Sequence, residues 1–165
     1  MSSKLLEHTK KTHESIKVLF ENNFDEAALI LMYAWIDRVA WLSVEREEAT
    51  GNDFKNWVDE YLLKHHKMPC TAEELWGARC GLLHTGSPEA KVTRNNIGRK
   101  VFYITGDTIK AHTRNDDEVF IRVADLHSNF IGAIAKFAEH LEDNPDKLKT
   151  VDRKLGNILE KTSKF

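Results

Sequence analysis

An all-α helical bundle with a small β insertion is the fold this chain predicts. Apolar residues recur at helical spacing in successive segments. Clusters of Asn, Gly, Pro and Asp separate those segments. Only Val101-Phe102-Tyr103-Ile104 and Val119-Phe120-Ile121 read as short strands. Such a pattern packs helix on helix around one core.

The first helix is expected over 3–20, with Leu5, Leu6, Ile16, Leu19 and Phe20 as apolar points, and Asn22-Asn23 breaks it. Asn23 stands three residues before Glu26, like the start of a capping box. The second helix, over 25–48, is the most apolar segment. From Ala27 to Ala34 it is almost continuously hydrophobic, so it either forms the bundle centre or faces a second subunit. Thr50-Gly51-Asn52-Asp53 reads as a turn. Phe54, Trp57, Val58, Tyr61 and Leu62 then give a clean amphipathic stripe, ending near His66 before Met68-Pro69. Thr71 and Glu74 form a capping box for the fourth helix, which carries Leu75, Trp76, Ala78, Leu82 and Leu83 and stops at Thr85-Gly86-Ser87-Pro88. The insertion, a small hairpin or loop, covers about 89–123. A long helix over 125–142 and a last one after Asn144-Pro145-Asp146 complete a single domain spanning 1–165.

The composition is that of an ordinary globular protein, 41% hydrophobic and 30% charged. A net charge of -2 exerts no global pull on nucleic acid or membrane, so any nucleic-acid site must be a local basic patch. Cys70 and Cys80 are too few for a disulfide framework. The charged N-terminal stretch lacks the apolar region of a signal peptide, and no apolar run is long enough to cross a bilayer. A cytoplasmic protein with no membrane partner is expected.

The strongest chemical signal is Arg79-Cys80-Gly81-Leu82-Leu83-His84, late in the fourth helix. Arginine stays charged at any working pH, whereas histidine takes and gives a proton near neutrality. Moving protons around a charged phosphorane needs that combination. On an ideal helix, however, five residues turn about 500°, leaving the two side chains roughly 140° apart and about 7.5 Å along the axis. The alternative is structural: Arg79 pairs with an acid such as Glu74 or Asp37, and His84 favours the helix C-terminus.

Arg79-x4-His84 resembles the R-x4-6-His motif of the HEPN superfamily of helical-bundle domains. The earlier helix, Tyr33-Ala34-Trp35-Ile36-Asp37-Arg38, is similar to that family's apolar helix with an embedded acid. The resemblance implies an HEPN-like bundle of about five to six helices. It also implies a homodimeric, metal-independent RNA endonuclease, in which the ribose 2′-hydroxyl attacks its own phosphate and leaves a 2′,3′-cyclic phosphate. Arg79 and His84 would be catalytic and would meet their copies across a two-fold axis; Asp37 would orient the site or pair with a base. Such an enzyme needs no cofactor. It would be a toxin or defence effector with an antitoxin-like regulatory partner. Active members usually follow the arginine with a polar residue, where this chain has Cys80. The toxin branch paired with small nucleotidyltransferases continues from the histidine as x-Tyr, where this chain has Thr85-Gly86. The family also holds inactive members, so the alternative is a catalytically inactive HEPN-like dimerisation or binding module.

Between Ala90 and Asn115, Lys91, Arg94, Arg99, Lys100, Lys110 and Arg114 stand against one acid, Asp107, with Phe102 and Tyr103 among them. Cations interleaved with aromatics suit RNA, tracking phosphates and stacking bases; a solvated charged loop has the same composition. Cys70, Cys80, His84 and His65 or His66 supply the residue types of a zinc site, but their spacing matches no standard finger, and no metal is expected.

Overall fold

The most apolar segment of the chain becomes its central helix. A computed structural model describes residues 3–85, 98–105 and 117–162. In it α2 (Asp25–Leu42) touches α1 (Ser3–Glu21), α3 (Gly51–Trp57), α4 (Ala72–Thr85), α5 (Val123–Glu142) and α6 (Pro145–Thr162). Ala28, Leu29, Met32, Tyr33, Trp35, Ile36, Val39, Ala40 and Leu42 are buried, because α2 has almost no polar face to turn to water. Leu5 and Ile16 of α1 and Val151 and Leu155 of α6 are fully buried. The predicted stripe on the third helix is entirely buried. Trp57 is its hub, with its ring centroid 5.5 Å from Tyr61, 6.0 Å from Phe130 and 6.3 Å from Phe137. The mostly helical architecture is as expected. Among the described residues no helix is long and apolar enough to cross a membrane.

Several local expectations are corrected. Asn23 does not cap α2. It adopts a left-handed φ of 60° and ends α1. Phe24 N–H donates to Leu19 O at 2.8 Å and Asn23 N–H to Phe20 O at 3.0 Å. Asparagine suits both a helix start and a left-handed helix end, which is why its spacing to Glu26 misleads. The stretch 50–53 is not a free turn. The buried Asp53 carboxylate accepts from Thr50 N–H at 2.6 Å and the Thr50 hydroxyl at 2.8 Å. It also pairs with Arg46, so α3 begins at Gly51. After Trp57 the helix widens into a π-helix over Val58–Leu63.

The second helix stops at Leu42, short of the expected 48. The carbonyls beyond it turn toward a buried ammonium instead. Lys154 of α6, 1% exposed, donates to Trp41 O at 2.8 Å, Val44 O at 2.7 Å and Arg46 O at 2.9 Å. The ammonium sits 4.4 Å from the Trp41 ring centroid. Burial lowers its pKa, and the three carbonyls replace the water it has lost.

The two short strands exist, but not as a hairpin. β1 (Lys100–Ile104) and β2 (Glu118–Arg122) run parallel, with Lys100 opposite Glu118 and Ile104 opposite Arg122. A hairpin returns antiparallel through a tight turn; a parallel pair needs a crossover of about a dozen residues, the length available between these strands. Val101, Val119 and Ile121 face the core. The Tyr103 hydroxyl shares a hydrogen bond with the Tyr33 hydroxyl of α2, where burial pushes both phenols up. Phe102 and Phe120 stack on the other face, with ring centroids 5.5 Å apart.

The expected capping box at Thr71 and Glu74 is present and carries more than a cap. Thr71 N–H donates to Glu74 Oε2 at 2.8 Å, and Glu74 N–H to Thr71 Oγ1 at 3.2 Å. Arg99 closes on the same carboxylate, Nε to Oε1 at 2.6 Å and Nη2 to Oε2 at 2.9 Å, and also donates to Pro69 O at 3.0 Å. One 4% exposed carboxylate thus joins the start of α4 to the start of β1. Burial raises its pKa, but Arg99 and the two backbone N–H donors outweigh that and hold it below the ordinary 4.5.

Glu74→Ala should lower stability in urea by about 3 kcal/mol at neutral pH, because it strands a mostly enclosed guanidinium. A folded value below the unfolded one means the stabilisation is present above pH 4.5 and fades as pH falls through the depressed value. Wild type should therefore lose stability below that point, and Glu74→Gln should flatten the acid limb of a urea-midpoint profile. Lys154→Met should cost about 3 kcal/mol in the same measurement, since it leaves buried carbonyls without a donor.

Candidate functional site around Arg79

Arg79 leaves the middle of α4 and reaches across to α2. Its Nε donates to Asp37 Oδ2 at 2.8 Å, and Nη2 lies 2.7 Å from the same oxygen. Its guanidinium carbon stands 5.0 Å from the Trp76 ring centroid, one turn earlier on α4. Trp76 in turn packs on Phe54 at 5.2 Å and over Gly51, where a Cβ would come within 2.7 Å of the indole. The glycine at the start of α3 therefore leaves room for the indole that stands against the arginine.

One edge of the guanidinium is occupied by Asp37, and the other points along α4. Nη1 lies 3.5 Å from His84 Nε2, at the outer limit of a hydrogen bond. The ideal-helix count separated these residues, but the arginine side chain is long enough to swing toward the last turn, where His84 is exposed. Arg79, Asp37 and His84 are thus brought together. Asp37 is raised by burial against the opposing pull of Arg79. For Arg79, burial works downward but the Asp37 carboxylate prevails, and its pKa is raised. The Cys80 thiol also contacts Arg79.

A cleft of about 370 Å³ opens beside this group, lined by Asp37, Arg38, Trp41, Thr50, Trp76 and Arg79 among others. Its cations and indoles are the groups that hold phosphates and stack on bases. His84 stands outside its described lining. Spacing alone gave no hint that Trp41, Arg38 and Thr50 would share this cleft, because they come from α2 and from the segment that follows it.

The basic segment divides. Arg99 turns inward to Glu74, and its side chain is only 13% exposed. Lys100 is half-buried at the start of β1, and Tyr103 faces α2 rather than solvent. Lys91, Arg94, Lys110 and Arg114 lie outside the described residues. Among the described residues no three His, Cys, Asp or Glu side chains assemble as metal ligands, so the zinc set is not brought together there.

The chain matches no protein-family model, no curated protein and no solved structure.

Both cysteines are free thiols, but their surroundings differ. Cys70 is 8% exposed, and burial pushes its thiol up to about 12, whereas Cys80 is half-exposed beside Arg79. Iodoacetamide on the native protein should label Cys80 well before Cys70, read by peptide mass spectrometry. Equal labelling rates would contradict the packing of α4.

Proposed function

We propose that this chain is a metal-independent RNA endonuclease of the HEPN type, acting as a homodimer. The observation that carries this reading is the division of the Arg79 guanidinium: Asp37 holds the Nε and Nη2 edge, and Nη1 is left facing His84 Nε2 at 3.5 Å. A phosphate entering between Nη1 and the imidazole would meet a fixed cation and a proton carrier at once. The ribose 2′-oxygen attacks the adjacent phosphorus, the bond to the 5′-oxygen breaks, and a 2′,3′-cyclic phosphate and a 5′-hydroxyl form. His84 takes the 2′ proton or delivers one to the leaving oxygen. Arg79 stabilises the charge on the phosphorane. Asp37 acts through Arg79, as a positioning residue.

A second subunit would supply the second imidazole that simultaneous acid and base catalysis needs. Ala27, Ile30, Ala34 and Arg38 form an exposed stripe along α2 at helical spacing, and that stripe runs into the cleft beside Asp37. Pairing two such stripes would set two Arg79–His84 groups near one axis. Lys100 and the basic residues of the insertion would guide the RNA backbone. The same reading makes the chain a toxin or defence effector, restrained by an antitoxin-like protein.

The competing reading is a catalytically inactive helical binding module. Its support is that Arg79 already has a carboxylate partner and an indole beneath it, the arrangement of a structural ion pair.

The two readings separate in a single assay. The nuclease should cleave RNA in EDTA, leave DNA intact and produce cyclic-phosphate ends. Arg79→Ala and His84→Ala should each reduce the rate by about 100-fold or more, and Asp37→Asn by about 10-fold, with circular dichroism unchanged. Cleavage surviving in the Arg79→Ala/His84→Ala double variant would remove the catalytic reading.

A further inference from the structure

A second cavity, of about 680 Å³, lies away from α4, between α1, the start of α2, the end of β1 and the first turns of α5. Three separate features converge on it. His13 of α1 and His127 of α5 both line it, and they meet Nδ1 to Nε2 at 3.2 Å with their rings stacked at 5.0 Å. Arg122, at the end of β2, also lines it. Its Nε is enclosed and has no hydrogen-bond partner among the described residues, so what Arg122 offers the cavity is its positive charge and not that donor. Val123 and Ala124, the first residues of α5, form part of the wall, with Asp125 in the same first turn.

Two of these features favour negative charge, against the carboxylates of Asp25 in the lining and Asp125 in the first turn of α5. A helix N-terminus presents the positive end of a dipole. A guanidinium cation attracts an anion. A metal cation fits less well: the arginine would repel it, and no third His, Cys, Asp or Glu ligand joins the two histidines among the described residues. Phe20, Ile104 and Ile131 supply an apolar wall, while Asp25 and Ser128 can bond hydroxyl groups. The volume falls in the roughly 300–1,000 Å³ range of small-molecule sites.

We infer that this cavity binds a phosphate monoester of a small polyhydroxylated compound, a sugar phosphate in size and charge, with the phosphate seated between Arg122, the α5 N-terminus and the His13–His127 pair. The site is independent of the Arg79 group, because its described lining includes no residue of α4.

Proton linkage follows from the pair's geometry. The hydrogen bond between the two imidazole nitrogens needs one donor and one acceptor, so their facing positions do not both carry a proton. Burial, and then the charge of His13, lower the His127 pKa. The other charged groups lining the cavity with His127 are Arg122 from β2 and Asp25 from α2, while the end of β1 contributes Ile104 and Thr105, neither titratable. A bound dianion offsets the repulsion, so binding should take up protons and weaken as pH rises from about 6.5 to about 8.

Isothermal titration of the full chain with ribose 5-phosphate tests this, using inorganic phosphate and ribose as controls and two buffers of different ionisation enthalpy. The expected result is saturable binding of the ester, weaker binding of phosphate and none of ribose, with net proton uptake at about pH 7.5, above the ester's own second pKa of about 6. Arg122→Gln and His127→Gln, or His13→Gln if either fails to fold, should raise Kd by about 10-fold or more, while Arg79→Ala leaves it unchanged. No heat with ester up to about 10 mM, affinity unchanged in the folded variants, or binding without proton uptake would each overturn the inference. So would zinc binding lost in His127→Gln in a protein that ignores the ester.

Discussion

The Glu74 carboxylate is the point on which the geometry around α4 depends. It caps α4 through Thr71, and it holds the Nε–Nη2 edge of the guanidinium and the backbone of Arg99 at the mouth of β1. A helix start has unsatisfied N–H groups, and the Arg99 N–H just before β1 also needs an acceptor, so one buried anion meets two needs. Because Glu74, Trp76 and Arg79 lie within two turns of the same helix, fixing the first sets the direction of the other two. The indole then meets Phe54 and Gly51, and the arginine meets Asp37. Loosening Glu74 would therefore disturb the cleft without touching it.

The other constraint is the burial of α2. A helix this apolar must be covered on most sides, and α1, α3, α4, α5 and α6 all contribute to covering it. The cover has to end where α2 ends, and Lys154 makes that end possible by drawing in the carbonyls of Trp41, Val44 and Arg46. An ammonium serves there because three converging carbonyls repel a carboxylate and call for a donor. Asp37 is the acid that α2 carries within this apolar run, and it stands at the margin of the cover, half-buried rather than enclosed. That placement explains its raised pKa beside a cation: desolvation acts from the core side, and Arg79 only partly offsets it.

Much of the bundle was legible because burial follows period. The stripe from Phe54 to Leu62, the apolar run of α2 and the Thr71–Glu74 box all obey local rules, and all fold as those rules predict. What escaped was set by distant partners or by residues with two uses. Asn23 fits a helix start and a left-handed helix end equally well. The strands could be found, but their direction depends on a connection whose path no local pattern encodes. Residues 43–48 keep a helical composition, yet follow Lys154 more than a hundred residues away. For the Arg79 group the residue types were legible and the contacts were not. Glu74 and Asp37 were equally available as partners, and tertiary packing gave the first to Arg99 and the second to Arg79. His13 and His127 carry no joint signal at all, since only the docking of α5 on α1 brings them together.

The two clefts differ in how their arginines are balanced. Arg79 is met by a carboxylate along one edge and an indole on one face, so its position is settled before any ligand arrives. A group held in that way contributes little ground-state affinity but costs nothing to organise, which suits charge that develops during a reaction. Arg122 lines its cavity beside the start of α5 and two imidazoles in hydrogen-bond contact, where its charge faces the cavity's contents. The two arginines thus stand in different surroundings on one small chain, one fixed by a carboxylate and an indole, the other lining a cavity with two imidazoles.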